Sequence, residues 1–141
     1  MKYALQWVVG SALILALSGC WILDLDKPPN IEFTYVPPIG STSHLRGRVE
    51  GVIPPLHRVA VYIQVDGTWW TKPYWDAPLT PVDFLTATWS CDIATGGDDT
   101  TAARIAAFLV PAGYNPPVLD QAPALPNELY NNAVAHVEVR R

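Results

Sequence analysis

Residues 58–72 read RVAVYIQVDGTWWTK and contain the pattern that decides the fold. Apolar side chains recur at every second position, as on one face of a strand, and are Val59, Val61, Ile63 and Val65. The opposite face carries Arg58, Tyr62 and Gln64. The dipeptide Asp66-Gly67 favours a two-residue hairpin turn. The chain is therefore predicted to return antiparallel through residues 68–72.

Shorter alternating segments lie on both sides of this hairpin and are predicted as further strands: residues 31–36, 45–52, 86–93 and 133–140. Residues 102–110 permit helix or strand, and we expect one helical turn followed by a strand that ends at Pro111. Pro73 and the prolines within residues 78–81 exclude a central strand there.

The remaining connections are rich in turn residues. Residues 95–101 are predicted to turn, with Asp98 or Asp99 capping a short helical turn. Residues 111–132 form a long Pro-rich connection, with a helical turn over 126–130 that has Pro126 at its first position. Six or seven short strands without a sustained helix predict an all-β fold. We expect an immunoglobulin-like antiparallel β-sandwich over residues 31–141.

The composition limits the classes of function. The chain has 141 residues, enough for one domain, and 50% hydrophobic against 16% charged residues excludes a disordered chain. Its formal net charge is −4 and its pI about 5.1. That balance argues against binding to a phosphate backbone, so no nucleic-acid partner is expected.

The N-terminus has the organisation of an export signal. A short charged start precedes the apolar run 4–17, which is too short to span a bilayer. The run ends in Leu17-Ser18-Gly19-Cys20, which resembles the lipobox of bacterial lipoproteins at all four positions. The resemblance implies cleavage of residues 1–19, lipidation of Cys20 and a short tether over 20–30. An ordinary secretory signal or membrane anchor with a chance cysteine is the alternative.

The same resemblance predicts where the protein resides. The lipid on Cys20 would anchor the chain to a membrane of the bacterial cell envelope. Residue 21 is Trp rather than Asp, so the sorting rule of enteric bacteria implies no inner-membrane retention. An outer-membrane location is expected if the host has two membranes.

Two further resemblances concern the domain. The order Gly47-x-Val49-x-Gly51, a loop and then residues 59–63 resembles immunoglobulin-like and transthyretin-like modules of secreted bacterial proteins. The stretch from Val59 through 69–75 and 92–98 to Pro111 is similar to accessory modules found beside carbohydrate-active domains. Both resemblances imply a β-sandwich, and neither carries a function by itself.

A cluster of aromatic residues is the main candidate binding site. Trp69, Trp70, Tyr74 and Trp75 lie within seven positions. Adjacent residues of a strand face opposite sides, so one of Trp69 and Trp70 can be core while the other is exposed. Aromatic faces stack well on sugar rings, and we expect Trp70, Tyr74 and Trp75 to form the platform. The alternative is that these rings cover the open end of the sandwich.

The sequence offers no catalytic centre. His44, His57 and His136 are widely separated in the sequence. His44 and His57 are expected in loops, and His136 is expected on a strand with its side chain facing solvent. Asp92, Asp98 and Asp99 lack the spacing of a calcium loop, so turn and cap roles are favoured and no metal site is expected. Cys91 alternates with apolar residues and is expected in the core. We therefore expect no enzyme and no cofactor.

These observations predict a non-catalytic structural or protein-interaction module of the cell envelope. Its partner would bind a sheet edge or the loop from Lys72 to Val82. The alternatives are a carbohydrate-binding module and an accessory subunit of a secreted hydrolase.

Overall fold

The structure, a computed structural model, describes residues 26–141. This part of the chain has eight strands: β1 (Asn30–Tyr35), β2 (Leu45–Glu50), β3 (His57–Val65), β4 (Thr68–Lys72), β5 (Leu79–Pro81), β6 (Thr88–Cys91), β7 (Arg104–Pro111) and β8 (Ala135–Arg140). They form two antiparallel sheets. The smaller has the order β1-β2-β6, and the larger has the order β4-β3-β7-β8 with β5 also paired to β3. The predicted all-β class is confirmed.

The expected count of six or seven strands is wrong, because the chain beyond β4 returns to the same edge of β3. Residues 61–65 of β3 pair with β4, and residues 58–60 pair with β5. Pro81 is tolerated in β5 because this short strand lies at the edge of the sheet, where a missing N–H breaks no ladder. The prediction that prolines exclude a central strand here is confirmed.

The β3–β4 hairpin has the predicted turn. Asp66 and Gly67 have φ values of +49° and +79°, and Val65 pairs directly with Thr68. Two successive positive φ values define the turn type whose twist matches that of the flanking strands. Asp and Gly are the residue types that adopt this conformation at least cost.

The main core lies between the two sheets. Its members from β3 and β7 are those of the predicted alternation: Val59, Val61, Ile63, Val65, Ile105, Ala107 and Leu109. The smaller sheet contributes Ile31, Leu45, Val49, Trp89 and Cys91. Each fully buried Val, Leu or Ile side chain stabilises the fold by about 1.5–3 kcal/mol relative to exposure. Packing of the two sheets therefore supplies most of the apolar burial.

A second core covers the outer face of the larger sheet. The connection from residue 112 to 134 folds back over it and contains the helix α1 (Asn127–Asn132). Leu119 and Leu129 are buried against that face, which carries Ala60, Tyr62, Ala106, Phe108 and Val110. The Tyr62 hydroxyl donates to the carbonyl of Pro117 at 2.8 Å. Both faces of the larger sheet are thus buried.

The predicted helical segments are present with shifted boundaries. A 3₁₀ turn over Asp99–Thr101 precedes β7, so the helical turn ends before residue 102. Asp98 occupies the N-cap position but makes no side-chain capping hydrogen bond, so the predicted cap is wrong. In α1, Pro126 is the N-cap residue rather than the first helical residue.

Two glycines, one in β2 and one just after it, allow close approach of neighbouring segments. A Cβ on Gly47 would clash with the Trp89 ring and the Glu32 carbonyl. Gly51 has a φ of +70° and lies against the backbone of Lys27 and Pro28. The start of the described chain is therefore packed against the residue that follows β2.

Strand register defines two opposite ends of the domain. At the first, here called the N-terminal end, Asn30 pairs with Glu50 and His57 pairs with Pro111. Both short crossings between the sheets, residues 51–56 and 82–87, lie at this end. At the second, here called the turn end, lie the β3–β4 turn and residues 36–44 and 92–99.

Candidate functional site

An open cleft of about 870 Å³ lies at the turn end, beside β4. One wall is formed by residues 70–76 and the other by residues 95–99, with Gln121 from the long connection. The three residues predicted as a binding platform, Trp70, Tyr74 and Trp75, all line this space, which we call the aromatic cleft. Its volume is within the range of small-molecule sites, about 300–1,000 Å³.

The two adjacent tryptophans of β4 lie on opposite faces of the sheet, as the strand period requires. Trp69 is buried in the second core, where the Arg104 guanidinium lies 5.3 Å from its ring centroid. Trp70 is half-buried against the main core and lines the cleft, and its indole N–H donates to the Thr68 hydroxyl at 3.1 Å.

The loop after β4 presents the exposed rings. Tyr74 and Trp75 are each 53% exposed, although they belong to residue types that are usually well buried. The Ala77 N–H donates to the Tyr74 carbonyl at 3.2 Å, which closes a tight turn around Trp75. The turn constrains the backbone that carries both rings, which lowers the conformational freedom lost on binding a ligand.

The floor of the cleft is a buried ion pair. Lys72 donates to the Asp99 carboxylate, and the two side chains are only 9% and 11% exposed. Asp99 also accepts from the Gly96 N–H at 3.0 Å, and Lys72 donates to the Thr95 hydroxyl at 2.9 Å. These bonds join the end of β4 to the turn before β7, so they hold the two walls of the cleft together.

Most of the charged residues that line the cleft are acidic. Asp66, Asp76 and Asp98 line it in addition to Asp99. Of the described residues that line the cleft, Lys72 is the only cation, and its charge is matched by Asp99. This arrangement opposes anionic ligands and favours neutral or cationic ones.

The ion pair and the polar groups of Asp76 and Gln121 were not among the site residues predicted from the sequence. Lys72 carried a usable signal, because it shares a face of β4 with the half-buried Trp70 two positions earlier. A lysine on the inward face of a strand needs a partner. No sequence pattern identifies that partner as Asp99, 27 positions away.

The three histidines lie in separate elements of the fold. His44 lies in a loop near Asp92, with Nε2 and Oδ2 3.9 Å apart. His57 begins β3 instead of lying in a loop, and its Nδ1 is 3.1 Å from the Ile53 carbonyl. His136 is exposed as predicted, and it stacks on Phe108.

The remaining candidates are the possible metal ligands and the free cysteine, Cys91. Within residues 26–141, no group of three or more His, Cys, Asp or Glu side chains is placed to hold a metal ion. Cys91 is buried in the main core as predicted, and burial raises the pKa of its thiol to about 12. A thiol with such a pKa is unreactive at neutral pH.

The predicted lipidation site, Cys20, lies outside the described residues. No helix within residues 26–141 is long and apolar enough to span a membrane. Comparison with known proteins finds no matching family model, curated protein or solved structure.

Proposed function

We propose that this chain is a lipid-anchored, non-catalytic binding module of the bacterial cell envelope, with the aromatic cleft as its binding surface. The observation that carries the binding role is the 53% exposure of both Tyr74 and Trp75 on the rim of a cleft of about 870 Å³. The lipobox ending in Cys20 supports the anchor. The outer membrane is the proposed location in a host with two membranes.

We further propose that the domain is an immunoglobulin-like sandwich. Support comes from the strand order, β1-β2-β6 against β4-β3-β7-β8. This order corresponds to strands A, B and E against C′, C, F and G of that architecture. The pairing of β5 with β3 is a departure from it.

The ligand class that best fits the cleft is a neutral carbohydrate. Sugar rings stack on exposed aromatic faces through their C–H groups. Carboxylates such as Asp76 and Asp98 can accept hydrogen bonds from sugar hydroxyls, and Gln121 can both donate and accept. The acidic lining argues against uronic-acid or sulfated polymers.

A basic segment of a partner protein is the second candidate, and the acidic lining is the observation that favours it. Arg and Lys side chains stack on Trp and Tyr rings and pair with carboxylates. The partner would then contact the predicted loop from Lys72 to Val82. In this proposal the segment belongs to an envelope protein or to a secreted hydrolase that the module serves.

Replacing Trp75 by Ala is expected to reduce ligand affinity about tenfold or more, because the exposed stacking surface is lost while the core is untouched. Titration calorimetry of the full chain with neutral glycans, anionic glycans and arginine-rich peptides measures the effect. Tyr35→Ala is the matched control, since Tyr35 is an exposed aromatic residue of β1 outside the cleft.

The glycan series and the peptide series test the two candidate functions separately. Binding of a neutral glycan that Trp75→Ala weakens and Tyr35→Ala does not would support the carbohydrate role. Binding of the peptides alone would support the protein-partner role. Equal effects of both variants, or no binding of any probe, would overturn the cleft as the binding surface.

Replacing Cys20 by Ala is expected to release the protein from the membrane fraction or to leave its signal uncleaved, because no thiol remains to accept the lipid. Membrane fractionation and mass spectrometry of the N-terminus measure both outcomes. Cys91→Ala is the control, since this second cysteine is buried. Normal processing and membrane retention of the Cys20 variant would contradict the anchor.

A further inference from the structure

Three large apolar side chains are exposed at the N-terminal end of the domain. Phe84 and Leu85 are 61% and 71% exposed in the crossing from β5 to β6, and Leu56 is 58% exposed in the crossing from β2 to β3. Register places both crossings at the same end, because Pro81 pairs with Arg58 and Thr88 pairs with Arg48. Exposed apolar residues grouped at one end indicate contact with another surface.

The loop that carries Phe84 and Leu85 is closed by its own hydrogen bonds. The Asp83 carboxylate accepts from the backbone N–H groups of Leu85 at 2.9 Å and Thr86 at 2.8 Å. The bonds from Thr86 are the main reason that the pKa of Asp83 lies below its ordinary value. The Ala87 carbonyl accepts from Val49 at 2.9 Å, which ties the loop to β2. The N–H groups of Leu85 and Thr86 are thus paired within the loop, so an apolar surface can approach the tip without leaving these two donors unpaired.

The position of the N-terminus restricts what that surface is. The described chain begins at Asp26, and the residues after it pack against Gly51 at the N-terminal end. Covalent geometry allows at most about 3.6 Å per residue, so the six steps from Cys20 to Asp26 span no more than about 22 Å. A lipid on Cys20 would therefore hold this end, and not the turn end, close to the bilayer.

We propose that Phe84 and Leu85 insert into the surface of the bilayer in which Cys20 is anchored, so that the aromatic cleft faces away from the membrane. This inference rests on the lipid anchor proposed above. Apolar side chains on a rigid tip enter the boundary between headgroups and acyl chains without a membrane-spanning segment. Insertion would orient the domain, because it adds a second contact with the bilayer to the one made by the lipid.

The test uses a fluorophore placed on the tip. The full, lipid-processed chain carrying Phe84→Cys is labelled with an environment-sensitive dye and reconstituted into vesicles of phosphatidylethanolamine and phosphatidylglycerol that contain a nitroxide-labelled lipid. Native Cys91 does not react, because it is buried and its thiol pKa is about 12. Ile39→Cys is the matched control, since Ile39 is 54% exposed at the turn end.

The expected result is a blue-shifted emission that the nitroxide quenches at position 84 and a water-like emission at position 39. A vesicle-bound protein with water-like emission at both positions would overturn insertion while leaving the anchor intact. A blue shift at position 84 without quenching would also overturn it and indicate that protein covers the tip. Failure of the native chain to float with vesicles would instead overturn the anchor.

Discussion

Val61→Asp is expected to abolish folding. Val61 is fully buried between the two sheets, in the middle of β3, where it pairs with Lys72 on one side and Ala107 on the other. A carboxylate there would lie opposite Lys72, whose charge is already matched by Asp99, and it would either remain charged at a cost of several kcal/mol or take up a proton. Domains of this size have a free energy of unfolding of about 5–15 kcal/mol. The expected loss of stability is therefore comparable to the total stability of the domain.

The measurement is thermal unfolding followed by circular dichroism on the expressed variants. Ser90→Asp is the matched control, because Ser90 is exposed on β6 and the same change adds the same charge in a strand. We expect a cooperative transition for Ser90→Asp and none for Val61→Asp. A native-like transition for Val61→Asp would show that β3 does not occupy the centre of the larger sheet.

Asp99→Ala is expected to destabilise the domain by about 3–5 kcal/mol, the cost of leaving one member of a buried ion pair without its partner. Lys72 would keep its charge in surroundings where its side chain is only 9% exposed, with the Thr95 hydroxyl as its remaining acceptor. The Gly96 N–H would also lose its acceptor. Urea unfolding measures the change, and Asp98→Ala is the control at the neighbouring exposed carboxylate.

Replacing Lys72 by Met and Asp99 by Leu in the same chain removes both charges of the pair. The stability of this double variant distinguishes the loss of the ion-pair attraction from the cost of leaving one buried charge without a partner. We expect it to be clearly more stable than Asp99→Ala, because apolar pairs of similar volume often replace buried ion pairs without loss. If Asp99→Ala unfolds at the same urea concentration as the native chain, the pair is solvated and does not hold the cleft together. The two cleft walls would then need another explanation for their fixed separation.

The strands were predicted well because the alternation of apolar and polar residues along a strand shows which of its faces is buried. In β3 and β7, the residues at every second position lie in the main core as expected. The Asp66-Gly67 turn was predictable because it depends on the φ values of two residues only. Boundaries and counts were less accurate, because β5 has three residues and owes its existence to the partner strand β3.

The burial of the outer face of the larger sheet by the long connection could not be predicted from such a pattern. The alternation in residues 58–65 placed Tyr62 opposite the core, which is compatible with solvent or with a second layer. The residues that bury it, such as Leu119 and Leu129, lie in a proline-rich connection without strand or helix period over most of its length. The contact between this connection and β3 joins segments far apart in sequence, as in the hydrogen bond from Tyr62 to Pro117, 55 positions away.

Local sequence patterns were sufficient to predict the β class, the hairpin, the core faces of the strands and the residue types of the aromatic platform. Each of these depends on neighbours within a few positions, where strand period and turn geometry act directly. The packing of the folded chain was needed to show that Trp70, Tyr74 and Trp75 share one cleft and that Lys72 pairs with Asp99 below them. It also decided that Phe84 and the start of the described chain share one end. These are juxtapositions of distant segments, and they depend on which strands pair and how the sheets pack, which no local pattern encodes.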